Sequence, residues 1–235
     1  MTLLSLERVS KSYGGGAATQ TALRDVSFEI AAGELVGVWG QRRSGRSTLL
    51  RVAAGIARPD AGTVYLDGLD IARDSDSSRE SISYCRSSFR TPEGRLVLDQ
   101  LMLCQLSRGV DASTARACAF DALWRVGLGR AAALRVIELD RVERVLIGLA
   151  RSLVHGPRLL IIDEPTLGVD QRARDSILTL LRSLADEGIA VLASTGDASG
   201  LKDADRVLTL SKGELRANAR SQQAEVIELR HASGS

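Results

Sequence analysis

The chain has 235 residues, 44% apolar and 26% charged, a mixture that can bury a sizeable core and excludes disorder as the main state. Its net charge of +2, from 31 basic and 29 acidic residues, leaves no electrostatic footprint for sequence-independent nucleic-acid binding. Cys85, Cys104 and Cys118 are odd in number and lack CxxC spacing, which argues against a disulfide framework or a zinc site and fits a reducing cytosol.

Short apolar runs alternate with helical patterns, so the chain reads as an α/β core. In chain order, strands are predicted over residues 3–9, 26–30, 35–39, 63–66, 82–84, 159–163, 190–194 and 206–210. Turns punctuate them at Ala32-Gly33-Glu34, Pro59-Asp60-Ala61-Gly62 and Lys212-Gly213-Glu214. A helix is expected to begin at Gly45 and stop near Gly55. Residues 96–108, 113–126 and 142–155 read as helices with no strand between them, so a helical insertion, about 88–155, sits inside the core. With aromatics at 3%, the core is expected to consist mostly of Leu, Val, Ile and Ala. The main domain is placed at 1–217 and a loose tail at 218–235. No apolar run approaches the ~20 residues of a membrane helix, and no leader pattern opens the chain. Work at a membrane would therefore need another subunit to span it.

Two segments carry the chemistry. Val36-Gly37-Val38-Trp39 leads into Gly40-Gln41-Arg42-Arg43-Ser44-Gly45-Arg46-Ser47-Thr48, which matches G-x-x-x-x-G-K-[ST] except that Arg46 replaces the lysine. A glycine-bounded loop between strand and helix aims backbone N–H groups and a helix dipole at phosphate, and Ser47 would offer its hydroxyl to Mg²⁺. The plain alternative is an ordinary strand-turn-helix junction. Leu159-Leu160-Ile161-Ile162-Asp163-Glu164 would set two carboxylates at the carboxyl edge of a parallel sheet, where ligands of such folds bind. Asp163 would hold Mg²⁺ through its water shell, and Glu164 would polarise an attacking water. Either segment alone could be a capped strand; together, in this order, they read as a P-loop NTPase.

The ordered set of segments resembles the ATP-binding subunit of ABC transporters over roughly residues 2–217. Asp163-Glu164-Pro165-Thr166-Leu167-Gly168-Val169-Asp170 resembles that family's Walker B and D-loop, with Asp170 in the D-loop at the dimer contact. Val9-Ser10-Lys11-Ser12-Tyr13 resembles the segment whose aromatic stacks on adenine, against the alternative that Tyr13 is an exposed loop aromatic. Ala22-Leu23-Arg24-Asp25-Val26-Ser27-Phe28 and Ala32-Gly33-Glu34 match the approach to the phosphate loop, and Ala150-Arg151-Ser152-Leu153 the helix before Walker B. The resemblance implies a P-loop (RecA-like) core with an inserted helical subdomain and an N-terminal antiparallel β portion. It also implies ATP and Mg²⁺ as ligands and a homodimer or heterodimer with another such subunit. A membrane permease would be the further partner, and the site a peripheral one on the cytoplasmic membrane face.

The departures from that pattern are selective. The family's L-S-G-G signature falls on Leu139-Asp140-Arg141-Val142. Asp140 there sets a carboxylate against phosphate, Arg141 could offset part of that charge, and Val142 adds bulk where backbone must approach. Ser87 falls where the family carries Gln, with Gln100 and Gln105 too far along to substitute. Gly196 falls where it carries the switch His; the chain has only His155, expected at a helix end, and His231. Arg46 keeps a positive charge on a wider, forked group. Arg43 replaces a glycine, its side chain either pointing outward or crowding the nucleotide. Fold and metal-binding groups persist while groups that sense the γ-phosphate are gone. The leading expectation is a transport subunit that binds Mg-ATP with impaired hydrolysis. The alternatives are a non-catalytic pseudo-ATPase scaffold that dimerises with an active homologue, and a competent ATPase that tolerates the changes.

Overall fold

The computed structural model describes residues 1–15, 19–73, 80–86, 94–197 and 202–217. Strands β1 (Thr2–Tyr13) and β2 (Gln20–Ala31) form a long antiparallel pair, extended through β4 (Ala61–Leu66) and β5 (Leu69–Asp70) into a four-stranded sheet of order β2-β1-β4-β5. The second sheet takes β3 (Leu35–Trp39), β6 (Ile82–Arg86), β7 (Leu159–Asp163), β8 (Ala190–Thr195), β9 (Arg206–Ser211) and β10 (Glu214–Ala217) in the order β10-β9-β3-β8-β7-β6. Its pairs are parallel except β9–β10. The expected α/β core and N-terminal antiparallel portion are both present.

The sequence explains the sandwiching of this second sheet. Every residue of β7 and β8 is buried, as continuous apolar strands covered on both faces must be. Side chains alternate across the pleat: Leu159 and Ile161 join the core that faces the antiparallel sheet and α1 (Arg46–Ala53), while Leu160 and Ile162 join the core on the other face. That second core gathers α2 (Val97–Leu106), α3 (Ala112–Arg125), α4 (Arg141–Leu153) and α5 (Gln171–Asp186). Leu101, Leu123, Leu149 and Leu181 are fully buried there, each worth about 1.5–3 kcal/mol of apolar transfer. Two 3₁₀ turns, Gly129–Ala131 and Val136–Glu138, link α3 to α4, and a single antiparallel bridge joins Leu96 to Arg135.

Three elements go beyond the sequence expectation. Helix α5 is the first; Asp170 caps it by accepting from the Ala173 amide at 2.8 Å. Its buried face, Ile177, Leu178, Leu181, Leu184 and Ala185, carries the helical period. Strands β5 and β10 each follow a two-residue turn with both central residues at positive φ. These turns are Asp67-Gly68 and Lys212-Gly213, a hairpin geometry that only the turn residues announce. The first two strands also run farther than predicted, so Tyr13 ends β1, paired with Gln20, and is not a loop residue. Ser87, His231 and the tail at 218–235 lie outside the described residues.

Candidate functional site

Sheet order assembles the site. β3, β8 and β7 are neighbours, with Trp39 opposite Thr195 and Asp163 opposite Ser194. The residues that follow these strands, Gly40, Gly196 and Glu164, therefore meet at one carboxyl edge, where open α/β sheets bind ligands.

The loop from Gly40 to Gly45 is built around close backbone approach. A Cβ at Gly40 would clash with the Leu210 carbonyl oxygen and lie 2.5 Å from Ser44 Oγ; one at Gly45, where φ is +107°, would clash with the Ala22 carbonyl oxygen. Both positions thus demand glycine. Ser44 is buried, its amide bonded to the Gln41 carbonyl, and its Oγ has no hydrogen-bond partner among the described residues. Gln41, Arg42 and Arg43 are exposed, with Arg43 in the left-handed region at φ +66°. Arg46, Ser47 and Thr48 form the first turn of α1, which holds no acidic residue, and Ser47 is exposed.

Opposite the loop, Asp163 is 8% exposed; it accepts from Ser194 Oγ at 2.6 Å and from the Tyr84 hydroxyl at 3.5 Å. Burial, and then the Asp163 charge, push Tyr84 up to about 12, so its proton stays on at neutral pH. Glu164 takes φ +57°, an unusual conformation for a non-glycine residue, held by its amide donating to Ser194. The Arg46 guanidinium spans the site: Nη1 donates to the Gly40 carbonyl and, at 2.9 Å, to the Thr195 carbonyl, while Nη2 pairs with Glu164 Oε1. The Gly196 amide donates to Glu164 Oε2 at 3.4 Å.

Hard oxygen donors suit Mg²⁺. Ser47 and Asp163, the two residues expected to hold it, could offer a hydroxyl and a carboxylate. Among the described residues no group of three or more His, Cys, Asp or Glu could hold a metal ion.

The remaining predicted positions lie elsewhere. Tyr13 is 41% exposed, with Lys11 Nζ 5.6 Å from its ring centroid. Asp140 caps α4: it accepts from the Glu143 amide at 2.8 Å while Glu143 accepts from the Asp140 amide at 2.9 Å, a complete capping box. Arg141 does not pair with Asp140; it turns to the segment after β7, donating to the Leu167 carbonyl at 3.1 Å and lying against Gly168. Val142 is half-buried. Asp170, expected as a dimer contact, makes its described bond as the cap of α5. His155 follows α4, as expected, with Nδ1 3.2 Å from Gln105 Oε1. Sequence reasoning missed Ser194, Tyr84 and Thr195 as partners of the carboxylate pair, because only the strand order brings them there.

The family model described as ABC transporter matches residues 23–167. The uncharacterized ABC transporter ATP-binding protein YvrO of Bacillus subtilis is 31% identical over 91% of this chain and 95% of its own length. The lipoprotein-releasing system ATP-binding protein LolD of Hyphomonas neptunium is 32% identical over 91% of this chain and 96% of its own. Among solved structures, the dimeric ATP-binding cassette MJ0796 bound to ADP and Pi superposes with a TM-score of 0.83 at 24% identity, covering 93% of this chain and 98% of that one, a likeness of fold.

Proposed function

The chain belongs to the ABC transporter family as a nucleotide-binding subunit, and from that premise we propose that it binds Mg-ATP but hydrolyses it slowly, serving a transporter whose membrane part is another polypeptide. The observation that carries this reading is the engagement of Arg46. The one cation of the phosphate loop that replaces lysine is bonded to Glu164, the residue that would position water, and to two backbone carbonyls.

The residues would divide the work as follows. Backbone amides of the Gly40–Gly45 loop and the start of α1 cradle the phosphates, and Tyr13 offers its ring to adenine. Ser47 and Asp163 would hold Mg²⁺, which would supply neutralisation of phosphate charge. Glu164 orients the water that attacks the γ-phosphorus, so that ATP and water give ADP and phosphate. No side chain at Gly196 donates toward that phosphate, and Asp140 offers a carboxylate where the family offers a hydroxyl. Each missing transition-state contact costs about 2–4 kcal/mol, so several together leave slow turnover.

Two observations bear on the alternatives. The capping box at Asp140 and the tie of Arg141 to Leu167 favour a scaffold role, since the start of α4 is already satisfied within the chain. Asp163 and Glu164, retained and well supported by Ser194, favour a competent enzyme. We further propose a permease as partner, pairing with a second cassette, and a peripheral place on the cytoplasmic membrane face, without nucleic acid. No helix among the described residues is long and apolar enough to cross a membrane. Titration calorimetry with Mg-ATP, and phosphate release by an active homologue with and without this chain, test the reading. No binding at millimolar ATP removes nucleotide from the account. A homologue stimulated by this chain, with the gain lost in Glu164→Gln, returns it to the competent enzymes.

A further inference from the structure

Positions 46 and 196 depart from the family pattern together, and the structure brings them into contact. A Cβ built at Gly196 would lie 3.4 Å and 3.5 Å from the two terminal nitrogens of Arg46 and 3.7 Å from Glu164 Oε1. Gly196 is not among the described glycines with positive φ, so its backbone does not call for glycine. Nor does space for a methyl, which fits in ordinary contact, but anything longer must share the volume that the Arg46–Glu164 pair fills. The two side chains are 11% and 21% exposed, so the pair is largely withdrawn from water, where losing one partner strands the other. The guanidinium makes these contacts from two separate nitrogens, Nη1 to the two carbonyls and Nη2 to Glu164, whereas a lysine carries all its donors on one.

We propose that Arg46 and Gly196 are a matched pair: the missing side chain at 196 lets the Arg46 guanidinium close on Glu164, and the guanidinium must leave Glu164 before it can hold a nucleotide phosphate. Arg46 is thereby shared between Glu164 and phosphate, and Glu164 acts as an internal competitor for the nucleotide. This rests on the nucleotide-binding reading above, but its first test does not.

That test is a double-mutant cycle in urea without nucleotide, using Arg46→Met, Glu164→Gln and the double variant. The pair predicts non-additivity of about tenfold in the unfolding equilibrium, whereas additive effects overturn the inference. Gly196→Leu should lower stability with Arg46 present and do little in the Arg46→Met background; equal losses overturn the matching of 46 with 196. The second test is Mg-ATP calorimetry on the same variants. Glu164→Gln should tighten ATP about tenfold with Arg46 but less than about threefold in the Arg46→Met background, because only Arg46 is released. Equal gains overturn the competition and leave a structural ion pair. Should Arg46→Met fail to fold, Arg46→Gln, which carries no charge to pair with Glu164 or phosphate, replaces it with the same expectations. Coupling without ATP binding by any variant removes both the nucleotide reading and the competition, while binding without coupling removes this inference alone.

Discussion

Replacing Asp140 tests whether the carboxylate at the start of α4 is a structural device of this chain. The Asp140 carboxylate holds the Glu143 amide at 2.8 Å at the start of a 13-residue helix whose inner face packs Ile147, Leu149, Ala150 and Leu153 into the core. Asp140→Ala removes a cap worth about 1 kcal/mol and a negative charge at the positive helix end worth about 0.3–1 kcal/mol. The expected loss is thus about 1–2 kcal/mol, or about 3–6 °C in Tm for a chain of this size. Asp140→Ser keeps an oxygen for the Glu143 amide and should lose less than about half as much. Urea unfolding followed by circular dichroism measures both. Equal losses in the two variants, or none in Ala, would refute the argument that capping is what this aspartate does. Serine here would also remove the carboxylate that the proposed reading sets against a partner's phosphate, yet Arg141 and Val142 remain. Asp140→Ser alone is therefore expected to leave ATP turnover of a mixed dimer with an active homologue low.

Arg43→Gly should stabilise the chain by up to about 1 kcal/mol, because a non-glycine residue at φ +66° carries a left-handed strain that glycine does not; a lower urea midpoint would contradict this. Tyr13→Ala should weaken Mg-ATP binding by about 1–2 kcal/mol in calorimetry if its exposed ring stacks on adenine, and unchanged affinity removes that role. Gly196→His should not restore brisk phosphate release: the imidazole must share its space with Arg46 and Glu164, and lysine is still missing, so a large gain would show those losses to be overrated. His155 is held below its ordinary value of 6.5 by burial, then by Arg108 and Arg151. The unfolded chain therefore binds its proton more readily, and the stability from neutral His155 is complete above pH 6.5 and lost as pH falls below it. Urea midpoints at pH 7.5 and 5.5 should fall more for the wild type than for His155→Gln, and equal falls would sink the assignment.

The composite arrangement also has a consequence for assembly. On the proposed reading, two cassettes would pair so that one chain's phosphate loop meets the other's signature. This chain would then depart on both sides, with Arg46 and Gly196 at the loop and Asp140, Arg141 and Val142 at the signature. In a mixed dimer those departures would fall on both sites. The close covering of Gly168 by Arg141 adds that the helix start is tied to its own neighbouring loop, within one chain.

Local chemistry in the sequence determined much of this protein. Continuous apolar runs made β7 and β8 legible as strands buried on both faces, and Gly40 and Gly45 marked a loop where backbone crowds backbone. Asp163-Glu164 at the end of such a run pointed to the carboxyl edge of a parallel sheet. Helix α5 is legible too, from Asp170 and the spacing of its leucines, although the motif that ends at Asp170 masks its start. What the sequence could not contain was adjacency. That Arg46, Glu164 and Gly196 touch depends on β8 lying between β3 and β7, a strand order set by how two cores are filled and not by any local period. The same holds for Arg141 reaching Leu167 instead of offsetting Asp140, and for Ser194 holding Asp163. A side chain's face follows from its own position in a helix or strand, whereas its partner is decided only when distant elements pack.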